Sequence, residues 1–258
     1  MTRGALADLG IVWRMLRGQP RTGSLAQRLE AFYRPQAQDY DRFRERLLHG
    51  RREMISLLDP PRGSRIVELG AGTGRNLEFF GARIGEFASV ELVDLCPALL
   101  EQAWQRCRGW RNVDIIHADA TSWRPRVPAD CVYLSYALTM IPDWKSAIDN
   151  ALAMLKPGGT LGVVDFYVAA RNPLPGLARH AAVTRWLWPR WFAHDGVHLH
   201  AEHLPRLMTC TTTLHLREGR AVLPYLPRLR VPYYIHVGRK PALQSPQHSA
   251  LSPTVQSN

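Results

Sequence analysis

The sequence predicts an α/β protein built on a doubly wound, mostly parallel sheet with an antiparallel strand at its end. Three observations carry this. Between residues 61 and 167, short apolar runs alternate five times with patterns of helical period. Strands separated by helices of that length pair in parallel through right-handed crossovers. The first run, Ile66-Val67-Glu68-Leu69, leads directly into Gly70-Ala71-Gly72-Thr73-Gly74, where glycine permits positive φ and lets a ligand approach the backbone. Late in the chain, residues 209–217 and 231–238 have the pattern of a closing strand pair.

Taken in order, residues 4–17 place Leu6, Leu9, Trp13 and Leu16 at helical spacing, which suits either an interfacial helix or one packed on the domain. A turn over 18–23 precedes helices over 25–33 and 38–58, and the breakers at 59–63 close this lead-in. The strands then fall at 65–69, 88–94, 113–117, 130–136 and 160–167. The intervening helices span 74–84, 97–107 and 144–155, and Lys156-Pro157-Gly158-Gly159 turns into the fifth strand. Residues 171–208, rich in proline, tryptophan and histidine, form a lid-like insertion. The expected organisation is a helical lead-in over 1–60, a domain over 61–240 and a disordered Ser/Pro/Gln tail over 241–258.

Hydrophobic residues make up 46% of the 258-residue chain, enough for a sizeable core. The four cysteines are scattered without a C-x-x-C pair, which excludes a disulfide framework or zinc knuckle and fits a reducing cytosol. No apolar run reaches the ~20 residues of a spanning helix, and the first residues lack the apolar core of a secretory signal. The net charge of +11 divides into +4 over residues 1–60, −1 over 61–165 and +8 over 166–258. Basic flanks suit an anionic partner surface, or solubility alone.

The glycine turn departs from the dinucleotide fingerprint Gly-x-Gly-x-x-Gly, because its third glycine comes one residue early and Arg75 follows. The arrangement Glu68-x-Gly70-x-Gly72-x-Gly74 resembles motif I of the class I S-adenosylmethionine (SAM) methyltransferases, which have a Rossmann-like sheet. Asp94 ends the second strand 22 residues after Gly72, where a two-oxygen acceptor suits a pair of ribose hydroxyls. Asp119 and the Ala120 N–H can address the adenine amino group and a ring nitrogen. The turn at 156–159 also resembles the methyltransferase turn before strand five. The expected cofactor is therefore SAM, held by Glu68, Gly70, Ala71, Gly72, Thr73, Gly74, Asp94, Leu95, Asp119, Ala120 and Ser135.

The acceptor is read from other residues. Asn-Pro-Pro-Tyr, the signature of many base-amino methylating enzymes, is absent. No appended nucleic-acid module is legible, so a nucleic-acid partner is not expected. Residues 134–142 (Leu-Ser-Tyr-Ala-Leu-Thr-Met-Ile-Pro), 161–168 (Leu-Gly-Val-Val-Asp-Phe-Tyr-Val) and 191–199 (Trp-Phe-Ala-His-Asp-Gly-Val-His-Leu) carry a further resemblance. With Glu202-His203-Leu204-Pro205, Tyr40-Asp41 and Pro232-Tyr233-Tyr234-Ile235, they are similar to the N-methyltransferases of betaine-lipid synthesis. That family converts diacylglycerylhomoserine to its trimethylated betaine by three successive methylations.

The resemblance covers about residues 38–240 and leaves the first 24 residues and the tail without a role. It implies a lipid substrate at the membrane surface, a partner enzyme that makes diacylglycerylhomoserine, and a cytoplasmic protein bound peripherally to the inner face of the membrane. A small or prenylated aromatic acceptor, or a non-catalytic SAM-binding subunit, is the alternative.

An α-amino group, with a reference pKa of about 8, is mostly protonated at neutral pH. The site must therefore favour the neutral amine or accept a proton. Tyr136, Asp165, His194 and Asp195 are the catalytic candidates, unranked by sequence, and Tyr40, Tyr167 and His198 are the substrate-binding candidates. Aromatic faces suit the quaternary product. His194, His198, His200 and His203 invite a zinc reading, but methyl transfer needs no Lewis acid and no metal is expected. Arg185-Trp186-Leu187-Trp188-Pro189-Arg190-Trp191-Phe192 mixes tryptophan with arginine, which suits a membrane-contact face or the core of a lid.

Overall fold

The computed structural model describes residues 22–36, 45–223 and 226–242. The expectations for residues 4–17, for Tyr40 with the start of the second lead-in helix, and for the tail beyond 242 lie outside them.

Seven strands form one sheet. They are β1 (Arg65–Leu69), β2 (Ser89–Asp94), β3 (Val113–His117), β4 (Ala129–Ser135), β5 (Leu155–Phe166), β6 (Thr212–Leu223) and β7 (Leu226–Arg239). Their order is β3-β2-β1-β4-β5-β7-β6, with β1 to β5 parallel and β7 antiparallel between β5 and β6. This is the expected doubly wound sheet with its antiparallel end. The strand order reverses beside β1, which pairs with β2 on one side and β4 on the other. In such sheets the crevice outside the strand carboxyl ends at that switch point binds ligands.

Burial on both faces explains the near-continuous apolar strands. Alternation places Ile66, Val90, Leu92 and Tyr133 on one face and Val67, Leu69, Val132 and Leu134 on the other. The first face is covered by α2 (Arg51–Leu58), through Met54, Ile55 and Leu58, and by a 3-10 helical segment (Arg75–Glu86), through Leu77, Phe80 and Ile84. On the second face lie α4 (Trp144–Met154) and α6 (His203–Cys210), burying Trp144, Ile148, Ala151, Leu204 and Leu207. Each such large side chain contributes about 1.5–3 kcal/mol of burial.

Outside these layers, α1 (Leu25–Tyr33) packs Leu29 and Tyr33 on Cys96 and on Leu99 of α3 (Pro97–Cys107). A capping box starts α1, with Ser24 Oγ accepting from the Gln27 N–H and Gln27 Oε1 accepting from the Ser24 N–H. The remaining helix, α5 (Ala182–Ala193), lies between β5 and α6.

Four expectations about elements are corrected. A single helix over 38–58 is not formed: residues 45–47 are helical, the chain turns, and α2 restarts at Arg51. Gly50 sits there at φ 81°, and a Cβ on it would meet Tyr233 Cε2 at 2.8 Å, so close approach to β7 overrides helix propensity. The segment after Gly74 is 3-10 rather than α and kinks at Gly81 (φ 57°, ψ −135°). The turn at 156–159 is absorbed into β5, where Gly158 has φ 77° and the pairing with β4 shifts register between Ala129 and Cys131. Finally, Thr209 and Cys210 end α6 instead of opening β6, with Thr209 Oγ1 donating to the Pro205 carbonyl at 2.9 Å.

Candidate active site

A cavity of about 290 Å³ opens outside the carboxyl ends of β1 to β4. Its walls are Gly70 to Thr73, Asp94 to Cys96, Ala118 to Thr121 and Ser135 to Ala137, with Leu25, Leu29 and Tyr33 of α1 on the far side.

The turn after β1 is held by its own backbone. The N–H groups of Gly70 and Ala71 donate to the Val93 carbonyl at 2.8 and 3.0 Å. Gly70 has φ 72°, and a Cβ there would stand 2.5 Å from the Ala137 Cβ, so the β1 and β4 ends approach only because it is glycine. Gly72 has φ 55°, and a Cβ on it would meet only Leu99 Cδ1 at 3.9 Å, which leaves its backbone bare.

Asp94 ties this turn to the start of α3. Its Oδ2 accepts from the Gly72 N–H and its Oδ1 from the Cys96 N–H, both at 2.8 Å. Burial raises its pKa, and these N–H bonds oppose the rise. The Leu95 N–H also bonds this carboxylate, and with about four lone-pair sites it still has acceptor capacity for a ligand. Asp119 Oδ1 accepts from the Thr121 N–H and hydroxyl at 2.8 and 2.7 Å, an Asx turn that holds the loop after β3. The Ala120 carbonyl accepts from Asn150 Nδ2 at 2.9 Å.

Ser135 Oγ is buried at the cavity wall and has no hydrogen-bond partner among the described residues. Buried hydroxyls are seldom left so. This orphan donor, the bare Gly72 backbone and the spare lone pairs of Asp94 fit a polar, adenosyl-type group in the cavity.

Glu68 lies one layer behind. Its Oε1 accepts from Asn76 Nδ2 at 2.6 Å and its Oε2 from the Tyr133 hydroxyl at 2.8 Å. Burial pushes its pKa up to about 7 against those bonds. Asn76 in turn accepts from Arg51 Nη1 at 3.3 Å, and both Asn76 and Arg51 line the cavity. Glu68 thus reaches the cavity through Asn76, and Gly74 packs beneath the turn against Leu92 and Ala103.

Tyr136 lines the cavity at φ 55°, an uncommon conformation for a bulky residue. Two bonds hold it there: its N–H donates to the Val164 carbonyl at 2.7 Å and its hydroxyl to the His49 carbonyl at 2.6 Å. Burial raises its phenol pKa well above the ordinary value, and Asp165 adds to the rise. Asp165 itself is fully buried and outside the lining. Its Oδ1 accepts from Thr139 Oγ1 and the Phe166 N–H, both at 2.8 Å, and its Oδ2 from the Thr139 N–H at 3.1 Å. Burial raises its pKa to about 7.

The structure therefore gathers Gly70, Ala71, Gly72, Thr73, Asp94, Leu95, Asp119, Ala120, Ser135 and Tyr136 around one cavity. Glu68, Gly74, Asp165, Tyr167, His194, Asp195 and His198 lie outside its lining. Tyr167 is buried with its ring edge-on to His180 and Tyr234. His194 is exposed at the end of α5, followed by buried Asp195. His198 is exposed, but its N–H donates to the Thr139 carbonyl at 2.7 Å, joining that loop to the Asp165 brace. Among the described residues, no group of three or more His, Cys, Asp or Glu side chains is placed to hold a metal ion.

Leu25, Leu29, Tyr33, Leu48, Arg51 and Asn76 line the cavity without having been singled out from the sequence, and Met140 and Ile141, also in the lining, were named only within the 134–142 grouping. The Ser24/Gln27 capping-box pair and the 25/29/33 spacing are the local signals that could have marked α1 as a helix with an apolar stripe. Nothing local said which surface that stripe would meet.

Comparison with known proteins agrees with this geometry. The methyltransferase domain family matches residues 66–159. The chain is 30% identical over 117 residues to the ubiquinone/menaquinone biosynthesis C-methyltransferase UbiE of Cronobacter sakazakii, covering 44% of this chain and 47% of that protein. The same enzyme of Serratia proteamaculans is 31% identical over an equal span. The chain spans about half the length of these curated relatives.

Among solved structures, a Haemonchus contortus phosphoethanolamine N-methyltransferase 2 complexed with phosphomonomethylethanolamine and S-adenosylhomocysteine superposes with TM-score 0.65. It is 14% identical, covering 86% of this chain and 61% of that one. The N-methyltransferase NodS of Bradyrhizobium japonicum WM9, complexed with S-adenosylhomocysteine, gives TM-score 0.54 at 19% identity over 74% of this chain and 85% of that one. At such identities these two structures speak for the fold alone. Strand order, glycine turn, Asp94 clasp and domain match converge, and the chain carries a class I methyltransferase domain of the S-adenosylmethionine-dependent kind.

Proposed function

We propose that the protein is an N-methyltransferase that converts diacylglycerylhomoserine to its trimethylated betaine lipid by three successive methylations. The carrying observation is the composition of this cavity. Its lining combines polar groups (Gly72, Asp94, Asp119, Ser135) with apolar side chains (Leu25, Leu29, Leu48, Met140, Ile141) and two aromatic residues, Tyr33 and Tyr136. The sequence groupings at 134–142, 161–168 and 191–199 support the choice of acceptor.

Bound S-adenosylmethionine supplies an electrophilic methyl group on a sulfonium. Asp94, Asp119 and Ser135 would hold its adenosyl part. Positioning of the amine supplies much of the rate. Tyr136, with its hydroxyl bonded to a carbonyl and its pKa raised, stays protonated at neutral pH. It therefore offers a ring face to the ammonium product rather than acting as a base. Asp165 acts through Thr139, holding the loop that carries Met140 and Ile141. His194 and Asp195 are given a supporting place at the end of α5, and His198 holds the Thr139 loop through its backbone. The apolar walls favour the neutral amine by desolvating the charged one. The proton is thus lost before the amine enters, and kcat/KM rises with pH through the amine pKa of about 8.

The similarity to C-methyltransferases over 117 residues favours a second reading, methylation of a prenylated aromatic acceptor. Incubation with radiolabelled S-adenosylmethionine and each acceptor in turn separates the two. Label in mono-, di- and trimethylated lipid is expected, and label in the aromatic acceptor alone overturns the first reading. Cofactor binding without label in either would indicate a non-catalytic binding subunit. A partner enzyme that makes diacylglycerylhomoserine would supply the substrate. No described helix is long and apolar enough to cross a membrane, so this reading needs a peripheral contact.

A further inference from the structure

Helix α5 is apolar on both sides, yet among the described residues only one side is covered. Trp188 and Phe192 are buried, 3% exposed each, and Phe192 stacks on Phe166 at 5.1 Å. Phe166 in turn meets Tyr136 of the cavity wall at 4.6 Å. On the other side Val183, Trp186 and Trp191 are 66%, 58% and 43% exposed. Residues 183, 186, 190 and 191 follow the i, i+3, i+7, i+8 spacing of one helical face, while Leu187 at its margin packs partly on the core. Arg190 belongs to that face, with its guanidinium 5.0 Å from the centre of the Trp186 ring.

An uncovered face of this kind marks an interaction site, and its chemistry selects the occupant. The helix contains no acidic residue. From residue 166 onward the only acids are Asp195, Glu202 and Glu218, against an excess of +8. Asp195 is buried, Glu202 lies 3.7 Å from Lys145, and Glu218 accepts from the Ala178 N–H at 2.8 Å. The positive charge on this side is therefore not neutralised from within α5. A second copy docked symmetrically here would oppose arginine to arginine. Tryptophan suits the headgroup level of a bilayer, and arginine pairs with phosphate.

We propose that α5 is an interfacial helix that lies on an anionic lipid bilayer, with Val183, Trp186 and Trp191 entering the headgroup region and Arg190 on lipid phosphate. The aromatic chain Phe192–Phe166–Tyr136 then seats the membrane-bound helix beside the cavity that takes the acceptor. This extends the lipid-acceptor reading without resting on it, because membrane binding is read without turnover.

The test is co-sedimentation of the full chain with vesicles of phosphatidylcholine alone and of phosphatidylcholine with phosphatidylglycerol. Binding to the anionic vesicles is expected, weakened by salt. It should fall tenfold or more in the double variant Trp186→Ala/Trp191→Ala and about fivefold in Arg190→Gln. Cofactor affinity by titration should stay at the wild-type value in both, which shows that they are folded. Wild-type binding by the folded double variant overturns the proposal. So does absence of binding to anionic vesicles, or a wild-type dimer that the double variant converts to monomer.

Discussion

Asp94→Asn probes the centre of the cavity's polar wall. The carboxylate receives the Gly72 and Cys96 N–H groups on separate oxygens, each at 2.8 Å. Asparagine offers one acceptor oxygen, so its amide nitrogen must face one of those N–H groups. A hydrogen bond to a charged group is worth about 1.5–3 kcal/mol, and a part-buried donor left facing another donor costs a similar amount. The turn then relaxes away from α3, and on the proposed reading the ribose hydroxyls lose an anionic acceptor. At about 1.4 kcal/mol per decade, cofactor Kd should rise by about ten- to a hundredfold. Isothermal titration measures this, and urea unfolding separates it from a stability loss of about 1–3 kcal/mol. A folded Asp94→Asn protein that binds the cofactor within threefold of wild type would refute the clasp as the organiser of the site.

Gly70→Ala forces a Cβ to 2.5 Å from the Ala137 Cβ at φ 72°, so a stability loss of about 1–3 kcal/mol in urea unfolding is expected. Wild-type stability would show that the β1 and β4 ends can separate freely. Glu68 has its pKa raised by burial to about 7, above its unfolded value. Its contribution is full at acid pH and lost as pH rises through about 7, and Asp165, also about 7, acts in the same direction. Glu68→Gln keeps an acceptor for Asn76 and can donate to the Tyr133 oxygen. It should flatten the fall in stability between pH 5 and pH 8 by up to about 1.4 kcal/mol per pH unit, and parallel profiles for variant and wild type would contradict this. Phe192→Ala empties a site under α5 and should cost about 3–5 kcal/mol. A smaller effect in thermal or urea unfolding would mean that α5 settles onto Phe166 without it.

The polar wall of the cavity was legible in the sequence because its parts are local. A glycine turn at a strand end and an acid at the next strand end each announce themselves within a few residues, and Asp94 clasps Gly72 across the two. Asp165 and Tyr136 were also recognisable as strand-end residues. Their separation, one lining the cavity and one bonded to Thr139 behind it, depends on which way a side chain turns after the strand. The helix broken at Gly50 shows the same limit, because its cause is Tyr233, 183 positions away. The 185–192 segment was ambiguous for a like reason. Trp188 and Phe192 proved to be core, while Trp186 and Trp191 stayed exposed.

By itself the sequence determined the doubly wound sheet with its antiparallel end and the glycine turn after the first strand, since short apolar runs and glycine spacing act over short distances. Only the tertiary structure decided that α1 walls the cavity with Leu29 and Tyr33, and that Glu68 reaches it through Asn76. It also decided that His194 and Asp195 stand outside the lining. Those outcomes depend on packing between distant segments, where geometry selects among side chains that the chain order leaves equivalent.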